Sequence, residues 1–305
     1  MKICVAVLTT GVRSQSLSEC VEKLFAMDVP PGAEVKILLA QNGVAEPDPS
    51  LLSPSEKARF DAGDLAMVAE PRKGIPFGRN AGLAYAQANG FDYLAFIDDD
   101  AYPDADWLTE LVAAVNKPGI HAATGPQVPV FPEGAPIHLR EAEIYRERRL
   151  PEGTVCKWAA TNNVIFDVKF TKDQDLWFNE KFATGGSDKE FFLRFTRHGG
   201  VIVWTNKAIV REEVISERLS MDWATQRAYR YGVTGFKIEN AIRPPVAAIL
   251  VCAAKGSVYL ASGLARLPVT VVMGKRAYVD SMCHLAHGSG FLLGIFDKFR
   301  LRRYV

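Results

Sequence analysis

Apolar residues in this chain come in short runs, each closed by glycine, asparagine or aspartate. Residues 3–8 form a β-branched run ended by Thr9-Thr10-Gly11, which predicts a buried first strand. Leu17, Cys20, Val21, Leu24 and Phe25 then recur at helical spacing, with Ser16 and Glu19 spaced as a capping box. Residues 35–39 and 65–68 predict two more strands, the first running into Gln41-Asn42-Gly43. An alanine-rich helix is expected over 78–88, closed by Asn89-Gly90. The run Tyr93-Leu94-Ala95-Phe96-Ile97 is too short and too β-rich for a helix and reads as a strand buried on both faces. Trp107, Leu108, Leu111, Val112 and Val115 then share one face of a helix over about 105–115. Strands alternating with helices predict an α/β fold with a mostly parallel central sheet flanked by helices. No G-x-G-x-x-G follows the first strand, which argues against an ordinary dinucleotide-binding domain.

The second half is less regular. Residues 129–153 hold several prolines and glycines and a charged patch at 140–149, read either as a solvated helix or as a mobile cover over an acceptor groove. Residues 163–166 and 201–204 are further strand candidates. Between them, Thr184-Gly185-Gly186-Ser187-Asp188 forms a glycine-rich turn into an amphipathic helix. Asp188 there either caps the helix or points into a cleft. Arg227 and Arg230 stand three apart on a helix expected over 220–231 and so share a face, solvated or turned to a diphosphate. Trp158 and Trp204 read as core residues or as platforms for a sugar ring. From 244 onward long apolar stretches alternate with single basic residues, predicting a helical C-terminal extension. The apolar run 244–254, interrupted by Lys255, is too short for a membrane span. The extension is therefore a helical cap, an oligomer contact or an interfacial element on anionic lipid that uses the basic residues at 298–303.

Composition changes this picture in three places. The net charge of +1 over 305 residues argues against a nucleic-acid binder. It hides an asymmetry, because residues 255–305 hold eight Lys and Arg against only Asp280 and Asp297. Five scattered cysteines without a C-x-x-C pair read as reduced thiols of a cytosolic protein, and no signal peptide is visible. The chemistry gathers at Asp98-Asp99-Asp100, where the apolar run of residues 93–97 ends in three carboxylates. Like charges at the end of a buried strand are costly unless a cation meets them, and carboxylate oxygens suit hard divalent ions. The competing reading is a solvated acidic loop with Asp104 or Asp106 capping the next helix.

In order, these stretches resemble the family 2 glycosyltransferases, nucleotide-sugar-dependent enzymes of the GT-A fold. Val7-Leu8-Thr9-Thr10 with Arg13 is similar to the family's opening V-I-P-T-x-N-R segment, with Thr9 for its proline and Val12 for its asparagine. Gln41-Asn42-Gly43 resembles the D-N-G element that cups the base, with Gln41 for aspartate. Residues 74–82 resemble G-x-x-x-A-R-N-x-G, Asp98-Asp99-Asp100 the D-x-D motif, and Gly185-Gly186-Ser187-Asp188 the G-G-E-D element with Ser187 for glutamate. Residues 185–192 and Glu217-Arg218-Leu219 followed by Trp223 also resemble non-processive members that build bacterial surface polysaccharides, and the processive Q-x-x-R-W motif is absent.

The resemblance implies a GT-A catalytic domain over 1–235, with a nucleotide-binding half at 1–120 and an acceptor-binding half at 121–235, before an extension at 236–305. It implies an inverting transfer of one sugar from a UDP-sugar to a saccharide or lipid-linked acceptor, with Mn2+ or Mg2+ on Asp100 and Asp188 as general base. Thr10, Arg13, Asn42, Arg79, Asp98 and Asp99 would bind the nucleotide sugar; Glu190, Arg227 and Arg230 would touch acceptor or diphosphate. It further implies work at the inner face of a bacterial plasma membrane, with a homo-oligomer left open. The alternatives are a non-catalytic nucleotide-sugar-binding derivative and a sugar nucleotidyltransferase; the latter calls for a glycine-rich basic loop after the first strand, where residues 9–18 offer only Gly11 and Arg13.

Overall fold

The computed structural model describes residues 1–10 and 14–296. The chain forms two compact units, one of residues 1–128 with 148–212, the other of residues 129–147 with the chain from 213 on.

The first unit is built on a sheet of strands β1 (Lys2–Thr9), β2 (Glu34–Asn42), β3 (Leu65–Glu70) and β4 (Tyr93–Asp98), continued by short later strands. β5 (Ala101–Pro103) follows β4 directly; β6 (Ala122–Thr124), β7 (Gln127–Val130), β8 (Val155–Cys156), β9 (Val164–Asp167), β10 (Ile202–Trp204) and β11 (Val210–Glu213) complete the set. The large sheet runs β3-β2-β1-β4-β9-β6-β10-β8. Its first four strands are mutually parallel, with Leu8 opposite Asp98 and Thr9 opposite Gln41. β9 runs antiparallel between β4 and β6, and β8 antiparallel to β10, so the parallel half is the one that carries the carboxylates.

Both faces of β1 are apolar because both are covered. Ile3, Val5 and Val7 pack with Leu17, Val21 and Leu24 of helix α1 (Ser14–Ala26). Cys4 and Ala6 pack on the opposite side with Leu83 and a group of phenylalanines. The helices covering these faces include α2 (Pro54–Asp61), α3 (Ile75–Ala88) and α4 (Trp107–Val115). The S-x-x-E pattern that caps a helix is realised at Ser53 and Glu56, ahead of α2, whereas Ser16 lies within the first turn of α1. Asn163 ties the far half of the sheet together: it accepts from Trp107 Nε1 (2.8 Å) and donates to the carbonyls of Pro126 and Ala208.

The second unit corrects two expectations. The charged patch is not a solvated helix. Its regular structure is α5 (Ile137–Arg140) and a single 3-10 turn at Glu143–Tyr145, and Leu139, Ala142 and Tyr145 are buried against Ala224, Ala228, Val279 and Cys283. Tyr145 stacks on Trp223 (centroids 5.6 Å apart) and its hydroxyl donates to the Arg218 carbonyl. Helices α6 (Val168–Asp173) and α7 (Ser187–Arg197) belong to the first unit; α8 (Met221–Ile242), α9 (Pro245–Arg266) and α10 (Thr270–Gly294) belong to the second. Residue 235 lies inside α8, whose pattern meets no breaker until Pro244. The second correction is α9, which is long and apolar enough to cross a membrane by length and composition. The Lys255 ammonium that interrupts its sequence is taken up by Glu239 (2.6 Å). Packing of α8 against α10 is backbone-close: a Cβ on Gly290 would stand 2.1 Å from the Tyr229 carbonyl oxygen. The basic residues at 298–303 lie outside the described residues.

Glu239 receives Arg243 Nε at 2.5 Å and Lys255 Nζ at 2.6 Å. Burial opposes its ionisation, but the hydrogen bonds from Lys255 and Arg243 win and hold its pKa below the usual glutamate value. A depressed folded pKa gives stability that is present above the unfolded value and lost as pH falls through the folded one. Glu239→Gln is therefore expected to cost about 1–2 kcal/mol at neutral pH, with wild type and variant converging in acid, as read by urea unfolding across pH.

Candidate active site

Because β1, β2 and β4 are parallel, their carboxyl ends share one edge of the sheet, where open α/β sheets bind ligands. Thr10 is exposed just past β1, and Arg13 lies outside the described residues. At the end of β2, Gln41 is buried and pairs with the Asp48 backbone, accepting from its N–H at 2.7 Å. Asn42 donates to the Arg72 carbonyl and accepts from Gly74 N–H, both at 2.8 Å. Its amide thus pins the turn that starts α3.

α3 comes unusually near the sheet at Gly78, where a Cβ would stand 2.1 Å from Leu8 Cδ1. That approach sinks the next residue, Arg79, which is 8% exposed and so is no surface arginine. Its Nη1 donates to Ser187 Oγ at 2.7 Å. Burial lowers its pKa, while the charges of Asp188 and Asp98 raise it; a guanidinium stays protonated throughout.

Asp98 ends β4, Asp99 is buried and Asp100 is half-buried in the turn to β5. Burial pushes the Asp98 carboxyl up to about 7; Arg79 opposes this, and Asp100, Glu212 and Asp99 reinforce it. The Cys20 thiol beneath is likewise pushed up, by burial first and then by the charges of Asp99, Asp98 and Asp100. Glu212 arrives through the antiparallel pairing of β11 with β5, opposite Ala101. Neither proposed cap is realised: Asp106 makes no side-chain cap bond, and Asp104 takes both arms of Arg211, at 2.7 and 2.9 Å.

The turn before α7 has Gly185 at φ 125° and Gly186 at φ 83°, backbone that favours glycine. It delivers Ser187, fully buried, and Asp188, half-buried, into the first turn of α7. Asp188 Oδ1 accepts from the Lys189 N–H at 2.8 Å. The helix is fixed from beneath by Phe191, stacked on Phe178 (centroids 4.1 Å apart), which in turn meets Phe96 of β4 edge-on. Glu190 is buried, with both oxygens in the fork of Arg194 (2.8 and 2.9 Å). Trp204 is a core residue; Trp158 is half-buried under Arg148 and Lys189. Arg227 and Arg230 stand on α8 in the second unit, Arg227 donating to the Tyr231 hydroxyl and lying over the Trp223 ring.

The structure therefore gathers Arg79, Ser187, Asp188 and the Asp98–Asp100 turn around one buried cation. Among the described residues no three His, Cys, Asp or Glu side chains form a ready metal cage. The donor set at the turn is all carboxylate, and the charges of Asp100 and Asp99 add to the burial that raises Asp98. That suits a hard divalent ion sharing Asp100 with ligand oxygens and water.

The profile of glycosyl transferase family 2 matches residues 4–182, and with them the ends of β1, β2 and β4 and Arg79. The chain belongs to that family. This glycosyltransferase is 28% identical over 230 residues to the succinoglycan biosynthesis protein ExoM of Rhizobium meliloti, covering 73% of the chain and 71% of ExoM. It is similar in fold to the mannosyltransferase PcManGT from Pyrobaculum calidifontis in complex with GDP-Man and Mn2+ (TM-score 0.57, 19% identity, 97% of this chain and 88% of that one). It also resembles S. aureus TarS 1-349 in complex with UDP-GlcNAc (TM-score 0.52, 15% identity, 93% and 90%); of a longer TarS chain it spans 40%.

Two residues of the glycosyltransferase site escape a motif reading. Ser187 looks like a loss where the family has glutamate, yet its hydroxyl holds the buried guanidinium. Glu212 sits in no motif; the clue to it is the acid-rich strand sequence Val210-Arg211-Glu212-Glu213. Ser187→Ala is expected to leave a buried N–H of Arg79 unpaired, at a cost of about 1–3 kcal/mol in urea unfolding, whereas Ser187→Thr keeps the hydroxyl and loses less.

Proposed function

We propose that the enzyme transfers one sugar, with inversion, from a UDP-sugar to a hydroxyl of a saccharide or lipid-linked saccharide in surface polysaccharide biosynthesis. The observation that carries this reading is Arg79, buried and hydrogen-bonded to Ser187, feeling both Asp98 at the end of β4 and Asp188 at the start of α7. A carboxylate-rich end and a helix-borne carboxylate thereby face the same buried group. Thr10, Arg13, Asn42, Arg79, Asp98 and Asp99 bind or frame the nucleotide sugar, and Glu190 fixes the first turn of α7 through Arg194. The polysaccharide reading is supported by the name of ExoM, and the UDP reading by the TarS complex.

In the reaction, Asp188 accepts the proton of the acceptor hydroxyl as its oxygen bonds to the anomeric carbon. The bond from that carbon to the diphosphate breaks on the opposite face, and its electron pair leaves with UDP, which inverts the centre. Mn2+ or Mg2+ on Asp100 supplies charge neutralisation for the departing diphosphate when bound. With a lipid-linked acceptor, the enzyme works against the inner face of a bacterial plasma membrane as a peripheral protein.

UDP release, measured over several UDP-sugars and GDP-mannose with and without Mn2+, tests this. Asp188→Asn is expected to lower kcat about 100- to 10,000-fold with nucleotide affinity retained, and Asp100→Asn to abolish the Mn2+ dependence of UDP binding. Near-normal turnover in Asp188→Asn would contradict the assignment of the base.

A further inference from the structure

The second unit presents an apolar surface along α9 and the turn that follows it. Between Glu239 and Asp280 the chain holds no Asp or Glu but five basic residues, Arg243, Lys255, Arg266, Lys275 and Arg276. α9 buries one side of itself, at Ala248, Cys252, Gly256 and Gly263. Its other side carries Val246, Leu250, Val258 and Leu264, all exposed and at helical spacing. The turn from α9 into α10 continues that surface: Val271 and Val272 are each 88% exposed, and Met273 follows. Gly274, at φ 69°, breaks the helix there, so these three side chains stand on a short projecting turn before Lys275. Tyr278, one turn further on, is half-exposed. A soluble surface seldom leaves so many large apolar side chains together in water.

We propose that the outer face of α9, together with the 269–273 turn, is the element that docks this enzyme on an anionic bilayer. This deepens the membrane reading above by naming the surface within the described residues that makes the contact. The apolar stripe enters the acyl boundary, and Lys275, exposed beside the turn, meets the headgroups, whereas Arg243 and Lys255 are held by Glu239, Arg266 by Glu143 and Arg276 by Glu141. The exposed Lys275 directly after the apolar turn, with no carboxylate in the sequence from 240 to 279, selects an anionic partner over a neutral one.

The native cysteines are all buried, so a cysteine introduced at Val272 takes an environment-sensitive fluorophore selectively in the full chain. With vesicles of phosphatidylcholine and phosphatidylglycerol its emission is expected to shift to the blue and brighten, and with phosphatidylcholine alone to change little. Val271→Asp with Val272→Asp is expected to weaken sedimentation with anionic vesicles about 10- to 100-fold, while UDP release in solution stays unchanged. An unshifted probe, equal binding to neutral vesicles, or undiminished binding by the double variant would overturn the proposal. So would a blue shift without vesicles accompanied by a doubled mass, which would make a second copy the occupant, or retention through alkaline carbonate, which would make α9 a span. Vesicle docking in a protein that turns over no nucleotide sugar would sink the enzymatic reading and leave this one standing.

Discussion

A guanidinium buried among carboxylates is the constraint on which the first unit turns. Arg79 has little access to water, so its charge must be met by protein groups, and the groups that meet it come from distant parts of the chain. One is the end of the central strand; the other is the first turn of α7, reached through Ser187. A glycine at position 78 makes the burial feasible, and the packed phenylalanines at 96, 178 and 191 hold strand and helix at the distance the contact needs. The result is one place where a positive group, a carboxylate turn and a helix-borne aspartate coexist.

Burial above all pushes the Asp98 carboxyl up to about 7, with Arg79 opposing and the charges of Asp100, Glu212 and Asp99 reinforcing it. Carboxylate oxygens gathered at a strand end are donors that suit a hard divalent ion.

Much of this was legible in the residue pattern, for identifiable reasons. Parallel strands buried on both faces are written as unbroken apolar runs, so β1 to β4 with α1 and α3 could be read to within a few residues, whereas the mostly polar α2 between β2 and β3 was not. Side chains whose task is to hold backbone left no such trace. Gln41, Asn42 and Asn163 are polar residues spent on loop carbonyls and N–H groups, and Ser187 replaces a charged family residue with a hydroxyl. Glu212 is brought in by a strand pairing across more than a hundred residues. The C-terminal helices defeated the pattern differently: α9 is apolar nearly all round, and periodicity cannot say which side is packed when every side is greasy.

The account rests on the electrostatics at Arg79, and the most direct measurement is the titration of Asp98 by carboxyl-carbon NMR in wild type and Arg79→Met. Arg79 lowers the Asp98 pKa, so the account predicts a midpoint near 7 in the wild type and a higher one in the variant. An ordinary carboxylate midpoint, unmoved when the arginine is removed, would show that the two groups do not share a site.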